Sequence, residues 1–202
     1  MTAPTYETLE EKTLSSEIVF KGTIATVRVD QALHPSGATV RREVVGHPGG
    51  VVVCPVLDDG RIIFVRQWRY PLHQCLLELP AGKLDWTDGI PEDPAEAIKR
   101  ELMEETGYEA TQWDFKTCLF TAPGFCDEKL WLYKATGLIQ KDKGVTVPSE
   151  TSTMQQHQPS EIEWLNLAFL TPQEAWRMCQ NGEISDAKTV ALLALCFPTS
   201  DF

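Results

Sequence analysis

GKLDWTDGIPEDPAEAIKRELMEETGY, residues 82–108, is the stretch that decides the fold of this 202-residue chain. Its second half reads as one helix: Pro94 suits a first helical turn, and Gly107 suits the position just past the end. Residues three and four apart share a helix face, so Glu101, Glu104 and Glu105 present their carboxylates together. Like charges so close repel unless a cation neutralises them. Mg²⁺ accepts carboxylate oxygens, keeps some waters and fills its shell with substrate phosphate oxygens. The spacing therefore points to a phosphate-handling metal site. Arg100 reaches Glu104 at i+4 and can fix the direction of that carboxylate. Ala95, Ile98 and Leu102 form a separate apolar stripe expected to seat the helix on a core. The plainer reading of a Glu-rich helix is a solvated face, so the surrounding pattern has to decide.

Working outward, residues 18–29 and 39–45 alternate apolar and polar positions around the turn Pro35-Ser36-Gly37, as a small antiparallel meander would. Gly49-Gly50 marks a boundary. Val51-Val52-Val53 and residues 61–67 then read as a hairpin around Asp58-Asp59-Gly60. A further strand pair is expected over 113–121 and 130–136. The polar stretch 140–160 lacks apolar periodicity, and so long a loop is expected to be a lid or disordered. A strand over 162–167, a helix over 172–181 closed by Gly182, and a helix over 186–196 complete the chain. Mixed strands followed by helices give an α/β or α+β layered fold.

Composition bounds the function. At 22.6 kDa, with 43% hydrophobic and 23% charged residues, the chain suits one full core plus a small module. The formal charge of −11 and pI near 4.8 argue against a nucleic-acid partner bound through a basic surface. Cys54, Cys75, Cys118, Cys126, Cys179 and Cys196 show no C-x-x-C spacing, so free buried thiols in a reducing compartment are expected. The first residues are polar and acidic, and the longest apolar runs are too short to span a bilayer, so the expectation is a cytoplasmic protein without a membrane partner. His34, His47, His73 and His157 lie in no ligand spacing.

Written out, Glu92, seven residues, then Arg100-Glu101-Leu102-Met103-Glu104-Glu105-Thr106-Gly107-Tyr108 resembles the signature of the Nudix hydrolases. One departure stands out: nine residues separate Gly82 from Glu92 where the family pattern has five. This reads as a four-residue loop extension carried by residues 85–89, and it bears on Glu92. Further stretches resemble the branch containing the ADP-ribose pyrophosphatases and related nucleoside diphosphate sugar hydrolases. They are Arg41-Arg42-Glu43-Val44-Val45, His47-Pro48-Gly49-Gly50, Val65-Arg66-Gln67-Trp68-Arg69-Tyr70-Pro71, Glu78-Leu79-Pro80-Ala81-Gly82, a proline (Pro123) fifteen residues past Tyr108, and the segment 182–189.

The resemblance implies a Nudix fold, a mixed curved sheet between helices over residues 49–202, preceded by an N-terminal antiparallel module over residues 1–48 that serves a homodimer. It implies that the Ala81 carbonyl and the carboxylates of Glu101, Glu104 and Glu105 hold Mg²⁺, with Mn²⁺ as a substitute, and that Arg100 supports them. Arg69 is implied to contact the substrate diphosphate, and Arg41 or Arg42 to reach the partner's site. Glu43, Trp68 and Phe125 are implied to bracket an adenine. A loop glutamate is implied to take the proton of the attacking water, Glu161 first and Glu163 second. The reaction implied is hydrolysis of ADP-ribose to AMP and ribose 5-phosphate. Other sugar nucleotides, NADH and dinucleoside polyphosphates are alternative substrates, because loops choose the appended group. A non-catalytic nucleotide-sugar sensor is the alternative outside enzymes.

Overall fold

A computed structural model describes residues 9–141 and 165–198. These fall into two compact units, one formed by the described residues up to 49 with 120–129 and the other by 50–119 with the described residues from 130 on.

The first unit is built on a three-stranded antiparallel meander of β1 (Lys12–Lys21), β2 (Thr26–Leu33) and β3 (Thr39–Gly46). The turn at Pro35-Ser36-Gly37 falls where the sequence puts it, with Gly37 at φ 85°. The expected strand over 18–29 is in fact broken. Gly22 N–H donates to the Ala25 carbonyl at 2.9 Å, closing a tight turn between β1 and β2. Two register shifts, at Thr13/Ser15 and Ile18/Phe20, mark bulges in β1, every residue of which is exposed. The segment 122–128 joins this unit through Val45, whose N–H donates to the Phe125 carbonyl (2.7 Å) and whose carbonyl accepts from Asp127 N–H (3.1 Å).

In the second unit β4 (Gly50–Pro55) is buried along its whole length. It runs parallel to β11 (Lys129–Gln140) and antiparallel to β7 (Ala81–Lys83), in a sheet of order β10-β11-β4-β7 that begins with β10 (Tyr108–Phe120). Strand alternation divides its side chains. Val51 and Val53 pack with Ala97, Ile98 and Leu102 of α1 (Pro94–Thr106), while Val52 and Cys54 pack with Leu192, Leu193 and Cys196 of α3 (Ala187–Cys196). The sheet thus lies between helices, and an unbroken apolar strand is what that layering demands. A second sheet has the order β12-β5-β6, from β12 (Asn166–Leu170), β5 (Ile62–Arg69) and β6 (Gln74–Glu78). α2 (Pro172–Gln180) follows β12 and carries a capping box between Thr171 and Glu174.

Three further expectations differ from the structure. β4 and β5 do not form a hairpin ladder. Both edges of β4 are taken by β11 and β7, so the turn at 58–60 leaves a single bridge, Val56 to Ile62, before β5 joins the other sheet. Ala97, not Ala95, is the buried alanine of α1. All six cysteines are free, but only Cys54 and Cys196 are buried, and Cys75 is exposed at the start of β6. The expected strand over 162–167 lies partly outside the described residues, and within them β12 continues to Leu170. Among the described residues no helix is long and apolar enough to cross a membrane.

Candidate active site on helix α1

The helix ends are set locally. Asp93 caps the N-terminus, its side chain accepting from Ala95 N–H at 2.8 Å, and Pro94 takes the first turn. Gly107 ends the helix at φ 73°, its N–H donating to the Met103 carbonyl. This left-handed conformation is one that glycine adopts without a Cβ penalty. Glu101 and Glu105 follow Ala97 at i+4 steps. They therefore stand beside the core face and point at β7, whereas Glu104 is more exposed.

Arg100 organises this face. Its Nη2 donates to Glu92 at 2.8 Å and to the Lys83 carbonyl at 3.3 Å, and its Nη1 donates to Glu101 at 2.8 Å and Glu104 at 3.1 Å. The hydrogen bond that Arg100 donates to Glu92, working against burial of the guanidinium, is the largest influence raising the Arg100 pKa well above an already high value. The same bond holds the Glu92 carboxyl below its ordinary range. Glu92 therefore keeps its arginine despite the extra residues before it. The extension folds as a two-stranded hairpin of β8 (Trp86–Thr87) and β9 (Ile90–Pro91). Its turn, Asp88 at φ 53° and Gly89 at φ 79°, is the left-handed pair that an Asp-Gly hairpin adopts. Glu92 N–H donates to the Asp85 carbonyl at 2.7 Å, closing the hairpin's base.

Two carboxylates converge on the start of β7. Glu105 accepts from Ala81 N–H at 3.0 Å. The Glu101 carboxylate lies where a side chain on residue 82 would stand, since a Cβ placed on Gly82 would fall 1.9 Å from it. Among the described residues no three acidic, histidine or cysteine side chains are gathered into a ready-made metal cage. Glu101 and Glu104 are turned to Arg100, and Glu105 to the Ala81 backbone. The donor set is nonetheless all oxygen, and the cradle above Gly82 is room kept for a carboxylate. Both suit a hard divalent cation.

The other residues singled out from sequence divide between the units. In the second, Trp68 is half exposed, and Arg69 lays Nε and Nη2 on the Glu78 carboxylate at 2.7 Å each. Lys188 Nζ donates to the same carboxylate and lies 2.9 Å from Asp186. Burial raises the Glu78 carboxyl, but Arg69 and Lys188 outweigh it and hold the group below its ordinary range. Sequence reasoning gave Glu78 and Lys188 no role. A lone acid between Leu77 and Leu79 was the available signal, because a buried charge requires partners. In the first unit Arg41 pairs with Glu43, Arg42 with Glu11, and Phe125 is exposed. His47, which lies in no ligand spacing, has its backbone N–H on Asp127 at 2.8 Å and its Nδ1 accepting from Gly49 N–H at 3.1 Å. Glu161 and Glu163 lie outside the described residues, as does most of the expected loop over 140–160.

Comparison with known proteins agrees with this architecture. The NUDIX domain model matches residues 46–195. An ADP-ribose pyrophosphatase of Mycobacterium tuberculosis is 44% identical over 192 residues, covering 95% of this chain and 86% of its own. A methanol dehydrogenase activator of Bacillus methanolicus is 38% identical over 181 residues, covering 90% and 89%. A crystal structure of an ADP compounds hydrolase superposes with a TM-score of 0.74 over 93% of both chains at 21% identity, a likeness of fold. With the acid-bearing helix, its arginine and the sheet between helices all in place, the chain belongs to the NUDIX domain family.

Proposed function

We propose that this protein hydrolyses the diphosphate of ADP-ribose to AMP and ribose 5-phosphate with Mg²⁺, acting as a homodimer in the cytoplasm. The observation that carries this reading is the convergence of Glu101 and Glu105 on Ala81-Gly82 beside an arginine that collects Glu92, Glu101 and Glu104. Ala81, Glu101, Glu104 and Glu105 would hold the cation, which supplies charge neutralisation of the diphosphate and a more acidic water. Arg100 keeps Glu101 and Glu104 directed while that set is assembled. Arg69 presents a planar cation to the diphosphate, and Trp68 and Phe125 offer aromatic faces for a base. Arg41, Arg42 and Glu43 carry the remaining substrate contacts in this reading. The proton acceptor is Glu161, with Glu163 as the other candidate.

The name of the Mycobacterium tuberculosis relative supports ADP-ribose as the substrate. That of the Bacillus methanolicus relative records an activating role towards a dehydrogenase. For this chain we favour hydrolysis, because every carboxylate of the helix is present. The test is Mg²⁺-dependent cleavage of a panel holding ADP-ribose, ADP-glucose, NADH and GDP-mannose, with products identified by mass. ADP-ribose should lead and yield AMP, and preference for another member would reassign the substrate. Glu105→Gln should lower the rate at least about 100-fold in a folded protein, whereas an undiminished rate would remove Glu105 from the metal set.

A further inference from the structure

We propose that Glu78 and Lys188 are positioning residues that hold the Arg69 guanidinium for the substrate diphosphate, an inference that rests on the hydrolytic reading above. Glu78 ends β6 between two leucines, and its side chain is 1% exposed. In β5 and β6 Val65 pairs with Glu78 and Arg69 with Gln74, so residues 65, 67 and 69 share a face with 74, 76 and 78. Along that face Arg69 and Glu78 reach towards each other and close a two-point contact, which fixes the plane of the guanidinium as well as its place.

Lys188 restrains the carboxylate from the other side. It sits in the first turn of α3, pairs with Glu78, and is held in turn by Asp186, the helix N-cap. Asp186 accepts from Thr189 N–H (3.0 Å) and Thr189 Oγ1 (2.6 Å), and Thr189 Oγ1 accepts from Leu79 N–H at 2.9 Å. The circuit thus returns to the residue after Glu78 and ties β5, β6 and α3 together. As a source of stability it is a poor choice, since a buried ion network roughly breaks even against an apolar seam of the same volume. As a jig it is well suited. Only Leu79 and Pro80 separate Glu78 from Ala81, so one short segment sets both the arginine and the backbone facing Glu101 and Glu105.

The experiment is a double-mutant cycle on the full chain, with steady-state hydrolysis of ADP-ribose by Arg69→Ala, Glu78→Gln, Lys188→Met and the two doubles containing Arg69→Ala. Glu78→Gln and Lys188→Met should each lower kcat/KM about 10-fold or more, chiefly through KM. Neither should lower it further once Arg69 is alanine, and Lys188→Arg should restore most of the loss. Losses that simply add would overturn the proposal. A second measurement needs no substrate: the Arg69 Nε–H signal in ¹⁵N NMR, assigned by its disappearance in Arg69→Ala, should exchange slowly with water in the wild type and rapidly in Lys188→Met. Unchanged exchange would also overturn it. A wild type that leaves every member of the panel intact would end the hydrolytic reading, and the NMR comparison would still decide whether Glu78 and Lys188 hold Arg69. If Glu78→Gln does not fold, Lys188→Met carries both measurements.

Discussion

Gly82 acts through what it lacks. The Glu101 carboxylate fills the volume a methyl group would need, and it is the far end of a flexible side chain. Gly82→Ala should therefore fold with a thermal midpoint close to wild type while losing hydrolysis by about 100-fold, as the proposed role of Glu101 in holding the metal requires; a midpoint collapse would mean that the glycine serves packing instead. Glu92 gives a pH signature. Its carboxyl is held below the ordinary value of 4.5 chiefly by its hydrogen bond from Arg100. Its stabilising contribution is thus fully present above that value and is lost as pH falls through the lowered one. Glu92→Gln should be less stable than wild type at neutral pH, and the two melting curves should converge on acidification below about pH 4.5. A constant gap down to pH 3 would count against the pair. Residue spacing alone made the Glu101, Glu104 and Glu105 face legible, because i+3 and i+4 geometry is local. The grip of Ala81 N–H on Glu105 and the pairing of Glu78 with Lys188 were not legible, since residues 24 and 110 positions apart meet only through the fold.

Among elements, α1 is the one whose boundaries were written in the chain. Asp93-Pro94 opens it and Gly107 closes it, and α2 and α3 are likewise capped at their N-termini, by Thr171 and Asp186. Sheet partners were harder. Val51–Val53 read as a strand, but nothing local said that β11 and β7 would occupy both its edges and leave β5 to another sheet. The β8–β9 hairpin is different, because its Asp88-Gly89 turn signal is local and stands in the sequence within the loop extension before Glu92. Leu102 lies fully buried between α1 and β4, and the side chain has many neighbours to lose. Leu102→Ala should destabilise the protein by about 2–5 kcal/mol in urea titration. A loss under about 1 kcal/mol would show that the seam relaxes around the gap.

At the scale of the whole molecule, a chain of net charge −11 binds an anion only by local concentration of cations, which the proposed metal together with Arg69 would supply. In the proposed homodimer the first unit would be the assembly surface. β1 exposes Leu14, Ile18, Val19 and Phe20, a strand edge that single soluble chains seldom leave bare. Ile18→Asp combined with Phe20→Asp should convert a dimer to a monomer in sedimentation equilibrium, and a wild type that sediments as a monomer would remove dimerisation from the reading. The Asp85–Glu92 closure has a consequence of another kind. The chain departs and returns at one point, so the β8–β9 finger is a side branch off the main route to α1, and its tip can be spliced without shifting the frame of the residues that follow. A short epitope or dye-binding peptide inserted between Asp88 and Gly89 would hang from the molecule like a label on a string.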